Sequence, residues 1–135
     1  MKDKNSIVVI IMIIVFSAYL LYEKGYILAN FERMSVKEAY DLSQKQPQEV
    51  IVVDVRTPEE HAKDGKIKGS ILMPLSTLGN NINQLQAYKD KKILLYCRSG
   101  TRSITASRIV AAAGYKAYNV DGGMNAWKGA ALPIQ

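Results

Sequence analysis

The strongest constraint on this chain is the apolar segment at residues 6–22, which has no charged residue and only two serines. A helix needs about 17–25 mostly apolar residues to cross the roughly 30 Å hydrocarbon core of a bilayer, and this segment reaches the lower end of that range. Tyr19, Tyr22 and Tyr26 suit the interfacial layer at its far end. The segment therefore predicts one membrane-spanning helix in contact with the lipid bilayer.

Two other interpretations of residues 6–22 fit less well. A cleaved signal peptide needs a shorter apolar core and small residues at positions −3 and −1 of the cut. Cleavage after Ala18 would put Phe16 at −3, and cleavage after Ala29 would put Ile27 there. A buried core helix of this length would need more apolar partners than such a small domain can supply. An uncleaved anchor is the interpretation that we prefer.

The charges that flank the anchor do not select its orientation. Lys2 and Lys4 precede the apolar segment, and Lys24, Arg33 and Lys37 follow it. The positive-inside rule counts Lys and Arg residues near the helix ends, and the two sides are close to a tie. We predict a single-pass protein of a bacterial inner membrane, with the side that carries the domain left open.

The rest of the chain has room for one domain, because the whole sequence is 135 residues long. We divide it into the anchor at residues 6–22, a juxtamembrane connector at 23–31 and a domain at 32–135. The net charge of +6 is spread along the sequence, which does not favour nucleic-acid binding. One cysteine and one histidine exclude an internal disulfide and argue against a metal site, and no cofactor is predicted.

Strands alternate with helices along residues 32–135. The β-branched run at 50–55 has few polar breaks and is typical of a strand that is buried on both faces. The pattern predicts strands at 50–55, 71–73, 92–96 and 117–120, and helices at 35–46, 59–63, 78–88, 103–113 and 124–128. This alternation indicates an α/β fold with a small, mostly parallel sheet and helices on both faces.

The only cysteine, Cys97, directly follows the predicted strand 92–96 and precedes a helix by a few residues. Ligands of parallel α/β sheets bind beyond the carboxyl ends of the strands. Backbone N–H groups at a helix start, together with Arg98 and Arg102, would favour the nucleophilic thiolate and attract an anion. Gly100 would allow the loop to turn tightly. We therefore expect a reactive thiol rather than an inert buried cysteine.

Tyrosine phosphatases and arsenate reductases also use a cysteine loop, with the spacing Cys-x5-Arg. From Cys97 to Arg102 the spacing is Cys-x4-Arg, and Ser103 stands at the x5 position. A loop that is one residue shorter forms a smaller cradle, which suits a single sulfur better than a tetrahedral oxyanion. The spacing thus favours sulfur chemistry.

Three motifs in this order resemble those of single-domain rhodaneses. They are the stretch Val53 to Glu60 with the following turn and Pro74, the loop Cys97 to Arg102, and the stretch Gly122 to Trp127. The resemblance covers nearly all of the soluble part and implies a rhodanese-like α/β fold, here preceded by one transmembrane helix. The family usually has Gly-His-Ile-Pro-Gly where this chain has residues 65–69, Gly-Lys-Ile-Lys-Gly. That departure affects a structural turn.

The resemblance also implies the roles of individual residues. Cys97 would be the catalytic residue and would carry a persulfide. Asp54 and Arg56 would support the site. The remaining loop residues would bind the sulfur donor and the persulfide; they are Arg98, Ser99, Gly100, Thr101 and Arg102.

The activity implied by the resemblance is that of a thiosulfate sulfurtransferase. A thiosulfate-like anion would donate a sulfane sulfur, and a thiol or cyanide would accept it. An alternative is a membrane-bound persulfide carrier or docking module with little turnover, which would deliver sulfur to an unidentified protein partner. A redox sensor is a weaker alternative, because no second cysteine could resolve an oxidised Cys97.

Several other residues are interpreted as structural. His61 is expected to be a half-buried packing residue rather than a catalytic base, and Trp127 a core anchor. Gly122 and Gly123 are expected in a turn with positive φ. Arg108 is expected at the surface.

Overall fold

The computed structural model describes residues 3–135, which contain six α-helices, two 3-10 segments and a five-stranded sheet. The helices are α1 (Lys4–Glu23), α2 (Val36–Lys45), α3 (Pro58–Lys63), α4 (Leu75–Leu78), α5 (Thr101–Ala112) and α6 (Gly123–Gly129). The strands are β1 (Glu32–Met34), β2 (Val50–Asp54), β3 (Ile71–Leu72), β4 (Lys92–Tyr96) and β5 (Lys116–Val120). The 3-10 segments are Pro47–Glu49 and Ile82–Tyr88.

The sheet has the order β1-β5-β4-β2-β3, and all neighbouring strands are parallel. This confirms the predicted α/β class. The carboxyl ends of the strands lie at one edge of the sheet, where Asp54 of β2 pairs with Tyr96 of β4. Side chains on the two faces form two cores, one around Leu95 and Val110 and the other around Leu94 and Trp127. Strands covered on both faces explain why the β2 and β4 sequences are almost wholly apolar.

Two helices start at capping boxes that are visible in the sequence. At α2 the Ser35 side chain accepts a hydrogen bond from the Glu38 amide, and Glu38 accepts one from the Ser35 amide. At α3 Thr57 and Glu60 form the same reciprocal pair, and Pro58 occupies the first helical position. Each such cap stabilises its helix by about 1 kcal/mol. The first box confirms the helix start that was predicted at Ser35.

One local prediction is wrong, and one strand was not predicted. The helix expected at residues 78–88 is instead the short α4 followed by a 3-10 segment, because Pro74 starts a helix earlier and Gly79-Asn80-Asn81 interrupts it. Strand β1 was not expected. Its three residues are mostly exposed and pair only with β5, so no apolar pattern marks them.

Helix α1 contains 20 residues, so it is about 30 Å long at 1.5 Å per residue. It has no buried residue, and its composition is apolar enough to cross a membrane. A helix of this length and hydropathy is what residues 6–22 predict. Its carboxyl end continues into the connector, which leads to β1 at the edge of the sheet.

Candidate active site

The loop between β4 and α5 holds Cys97 at the carboxyl edge of the sheet. Cys97 is 1% exposed, and the Gly100 amide donates a hydrogen bond of 3.1 Å to its Sγ. Gly100 has a φ of +101°, and a Cβ at this position would lie 3.1 Å from the Gly122 nitrogen. The need for glycine that the sequence indicates is therefore real: the positive φ disfavours other residues, and the Gly122 backbone leaves little room for a Cβ. Among the described residues, this amide is the only loop N–H that is bonded to Sγ.

The amino end of α6 holds the Cys97 loop from the other side. The Met124 amide donates to the Cys97 carbonyl at 2.8 Å, and the Asn125 amide donates to the Arg98 carbonyl at 2.9 Å. Gly123 makes this contact feasible, because its φ is +54° and a Cβ there would collide with the Cys97 carbonyl. The third motif thus contacts the second directly, and its glycines have the predicted positive φ.

Both arginines of the loop are bonded to carboxylates. Arg102 forms a bidentate pair with Glu60, with two N–O distances of 2.8 Å. Arg98 lies 3.1 Å from Asp64 and 3.5 Å from Glu60. Hydrogen bonds from Arg102 lower the pKa of Glu60 to about 2. The predicted binding of a donor anion by Arg98 and Arg102 would therefore compete with these two carboxylates.

Sequence reasoning did not identify Glu60 as part of the site. No neighbouring residue indicates a partner for Glu60 on the loop, because Arg102 lies 42 residues away along the chain. The side chains of Ser99 and Thr101 are exposed on the loop. The binding roles predicted for Ser99 and Thr101 stay predictions.

Asp54 and Arg56 form a buried pair just below the loop. Arg56 donates to both carboxylate oxygens of Asp54, at 3.0 Å from Nε and 2.8 Å from Nη2, and also to the Gly65 carbonyl at 2.7 Å. Burial alone would raise the pKa of Asp54, but hydrogen bonds from Arg56 and His61 outweigh it and leave the pKa lowered. The carboxylate is therefore ionised and paired in the core.

Tyr96, the residue before Cys97, is hydrogen-bonded to this pair. Its hydroxyl donates to Asp54 Oδ2 at 3.1 Å and accepts from the Ile67 amide at 3.2 Å. Burial raises the pKa of Tyr96 to about 12, so the hydroxyl keeps its proton. Because Tyr96 directly precedes Cys97, the Asp54 side chain is connected to the start of the loop. The supporting role of Asp54 and Arg56 stays a prediction. The hydrogen bond between Tyr96 and Asp54 is the contact through which these residues would support the loop.

His61 is bonded to Asp54 rather than to the cysteine. Its Nδ1 lies 2.8 Å from Asp54 Oδ2, and its side chain is 15% exposed. A carboxylate accepts only, so Nδ1 carries a hydrogen and donates it to Asp54. This contact gives His61 a structural partner, and it offers Cys97 no base.

A second network of hydrogen-bonded side chains reaches Cys97 from α5. Ser103 Oγ lies 3.5 Å from Cys97 Sγ and 2.6 Å from Asn119 Oδ1. Asn119 Nδ2 donates to Asp121, which is paired with Arg33. Ser103 and Asn119 are both buried, although a serine and an asparagine usually lie at the surface. Sequence analysis missed them because only the fold brings them to the cysteine.

The arrangement places a buried thiol at the carboxyl edge of a parallel sheet, with one backbone N–H bonded to its sulfur and two arginines on the same loop. Within residues 3–135 no group of three or more His, Cys, Asp or Glu side chains is placed to hold a metal ion.

Residues 35–130 match the protein family described as the rhodanese-like domain. A sulfurtransferase of Allochromatium vinosum is 35% identical over 88 residues, which cover 64% of this chain and 79% of that protein. The putative sulfurtransferase YtwF of Bacillus subtilis is 33% identical over 104 residues, covering 74% of this chain and 98% of YtwF.

Solved structures agree with this fold. A rhodanese-related protein of Thermoplasma volcanium superposes with a TM-score of 0.70 at 28% identity and covers 78% of this chain and 98% of its own. A Rhodopseudomonas palustris protein of unknown function, described as a possible tyrosine phosphatase, superposes with a TM-score of 0.74 at 31% identity, covering 85% and 90%. The similarity confirms the predicted fold class, an α/β fold of rhodanese type after one apolar helix.

Proposed function

The chain belongs to the rhodanese-like family, and we propose that it transfers sulfane sulfur through a Cys97 persulfide. The family match and the sulfurtransferase relatives support sulfur transfer in general. The donor in this proposal is thiosulfate or a similar anion, and the acceptor is a thiol or cyanide. The observation that carries the proposal is the contact between the Gly100 amide and Cys97 Sγ, in a loop with two arginines.

In the first step the Cys97 thiolate attacks the outer sulfur of thiosulfate. The bond between the two thiosulfate sulfurs breaks, and sulfite leaves with the electron pair. Cys97 then carries a persulfide whose terminal sulfur is anionic. The Gly100 N–H, which bonds Sγ at 3.1 Å, lies next to this group. Hydrogen bonds to an anion are about twice as strong as neutral ones, so this N–H would stabilise the intermediate.

In the second step the acceptor attacks the outer sulfur of the persulfide. The sulfur–sulfur bond breaks, and its electron pair returns to Cys97 as the thiolate. Cyanide becomes thiocyanate, and a thiol becomes a persulfide. No external oxidant or reductant is needed, because the sulfur atom moves as a unit between two nucleophiles.

The test is mass spectrometry of the purified protein after treatment with thiosulfate. We expect a gain of one sulfur atom on Cys97, and its loss when cyanide is added with release of thiocyanate. The Cys97→Ser variant is the control and should gain nothing. An unmodified Cys97 after thiosulfate treatment would reject the proposal.

One observation favours the carrier function as a second candidate. Cys97 is 1% exposed, and Arg98 and Arg102 are both engaged by carboxylates, so a small free anion would have to displace Glu60 or Asp64. A protein that docks on the loop could supply charges that open these pairs. Persulfide formation with negligible steady-state transfer to cyanide or small thiols would favour the carrier. The Cys-x4-Arg spacing disfavours a phosphatase. Assaying the protein for activity on an aryl phosphate is the control for that alternative.

We propose further that α1 anchors the chain in a bacterial inner membrane as a single-pass helix. Its length of about 30 Å matches the hydrocarbon core, and none of its residues is buried against the domain. Recovery of the protein in the carbonate-washed membrane fraction would support this. Recovery in the soluble fraction would reject it.

A further inference from the structure

The connector after α1 is fastened to α5 by one arginine. Arg108 donates from Nη1 to the Leu28 carbonyl at 2.6 Å and from Nη2 to the Tyr22 and Ile27 carbonyls at 2.6 and 3.1 Å. Its guanidinium also lies 3.9 Å from the centroid of the Tyr22 ring. Arg108 is partly exposed at the surface, where it was expected, but these contacts with the connector were not predicted. Three charge-assisted hydrogen bonds make the segment at residues 24–31 a fixed joint rather than a flexible tether.

A second arginine holds the start of the joint. Arg33 donates from Nη1 to the Lys24 carbonyl at 2.9 Å and is paired with Asp121 at 3.1 Å. Its guanidinium lies 4.9 Å from the centroid of the Tyr26 ring. Gly25 is buried at a φ of +72°, and an added Cβ would lie 2.8 Å from the Phe31 ring. The first residues beyond α1 are thus fixed against the domain.

The joint nevertheless directs two large side chains outward. Tyr26 is 65% exposed and Leu28 is 81% exposed. Leu28 also has a φ of +52°, a conformation that a leucine rarely adopts and that persists only where its surroundings impose it. In this conformation the Leu28 carbonyl accepts the hydrogen bond from Arg108. The backbone is strained while the side chain contacts little of the domain, which points to a contact outside the chain.

The active-site loop lies next to this joint. Lys24 and Tyr26 line one side of a cleft of about 200 Å³ whose other side includes Ser99, Gly100 and Thr101. Since α1 ends at Glu23, the loop lies across a narrow cleft from the first residues that follow the apolar helix. The position of the loop relative to the anchor is fixed by the same contacts that fix the joint.

We propose that Tyr26 and Leu28 enter the interfacial layer of the bilayer as a second membrane contact, and that the joint thereby holds the Cys97 loop at the membrane surface. The inference rests on the proposed anchoring by α1 and is independent of the sulfur chemistry. The occupant is lipid because the two side chains continue the apolar surface of α1, and Lys24 beside them suits an anionic headgroup.

The test uses the full chain in vesicles of phosphatidylcholine and phosphatidylglycerol. Cys97 is the only cysteine, so Cys97→Ser gives a background in which single cysteines can carry a fluorophore. We expect a fluorophore at Leu28→Cys, and one at Ser99→Cys, to lose fluorescence when lipids with a nitroxide near the headgroup are present. Iodide in the water should quench both weakly.

Matched controls come from exposed positions outside the joint and its cleft. Ile134 is an exposed aliphatic residue, like Leu28, and Gln48 is an exposed polar residue before β2, at the opposite edge of the sheet from Ser99. Fluorophores at Ile134→Cys and Gln48→Cys should be quenched by iodide and not by the nitroxide lipids. Equal quenching at Leu28 and Ile134, or at Ser99 and Gln48, would overturn the inference.

A further variant separates the joint from the anchor. Arg108→Gln removes the guanidinium contacts but leaves α1 intact, so the chain should stay in the vesicles while the fluorophore at Ser99 loses its lipid quenching. Thr105→Ser, an exposed position on the same helix, should keep that quenching. If Arg108→Gln leaves the Ser99 signal unchanged, the joint does not set the position of the loop. Persulfide formation by the chain with Cys97 intact is measured separately, so failure of either proposal is recognised.

Discussion

Two ionic clusters flank the Cys97 loop, and they differ in their exposure to water. The buried cluster contains a carboxylate and a guanidinium that are 0% and 1% exposed; its members are Asp54, Arg56, His61 and Tyr96. The surface cluster has arginine side chains that are 58% and 36% exposed; its members are Glu60, Asp64, Arg98 and Arg102. Similar ion pairs therefore lie in very different surroundings on the two sides of one loop.

The difference assigns the two clusters different tasks. A charge in the buried cluster that loses its partner cannot be solvated, so rearranging this cluster costs much free energy. The cluster therefore holds the strands together. A guanidinium in the surface cluster that loses its partner regains water, so its pairs contribute little and can open. Only the surface cluster can release a guanidinium for an incoming anion.

The largest expected effect is that of Arg56→Met, which leaves the Asp54 carboxylate in the core without its guanidinium. We expect a loss of about 3–5 kcal/mol in the free energy of unfolding, measured by urea denaturation. Arg102→Met, in the surface cluster, is the matched control and should cost no more than about 1 kcal/mol. Equal losses for the two variants would contradict the comparison.

Tyr96→Phe tests the hydroxyl of the buried cluster. It leaves Asp54 Oδ2 and the Ile67 amide without one partner each, and we expect a loss of about 1–3 kcal/mol in the free energy of unfolding. The control is Tyr118→Phe on β5, whose hydroxyl makes no hydrogen bond to any described residue. A loss no larger than that of the control would show that the hydroxyl network adds no stability.

Glu60→Gln tests whether the surface cluster can open. It frees Arg102 from a carboxylate competitor, so the KM for thiosulfate should fall by up to about fivefold, which corresponds to a surface pair of about 1 kcal/mol. Steady-state thiocyanate formation measures it. Glu59→Gln on the same helix removes only the exposed pair with Lys63 and is the matched control. A raised KM for Glu60→Gln would indicate that the pair positions Arg102 for binding instead of blocking it.

The smallest expected effect is a change of stability with pH. The pKa of Glu60 is about 2 in the folded chain, below its ordinary value of 4.5, so its contribution is fully present above pH 4.5. It is lost as the pH falls toward 2. The difference in unfolding free energy between the native chain and Glu60→Gln should be below about 1 kcal/mol at pH 7 and vanish near pH 2. A difference that persists at pH 2 would assign the effect to packing.

Much of the fold can be predicted because its signals are local. The β-branched run of β2, the apolar run of β4 and the alanine-rich α5 each contain their own pattern, and the capping box at Ser35 lies within four residues. The position of Cys97 at the end of β4 follows from the same patterns. The segment that failed, residues 78–88, has turn residues inside an apolar pattern, so two local signals conflict there.

The partners of the charged residues could not be predicted, because they depend on distances through space. Arg102 meets Glu60 from 42 residues away, and Arg108 meets Tyr22 from 86 residues away. The residues that neighbour these two arginines in the sequence do not show whether an arginine binds a carboxylate, binds carbonyls or is solvated. Ser103 was overlooked for the same reason, since its buried partner lies on β5.

The amino-acid sequence alone determined which segments are apolar, where helices are capped, and that a single thiol follows a buried strand. These properties depend on residues a few positions apart. The tertiary structure decided which carboxylate holds each arginine, which polar groups surround the thiol, and how the end of α1 is fixed to α5. Such contacts arise only when the sheet and helices have packed. Packing brings side chains that are distant in sequence close together and decides whether they are exposed to water or buried in the core.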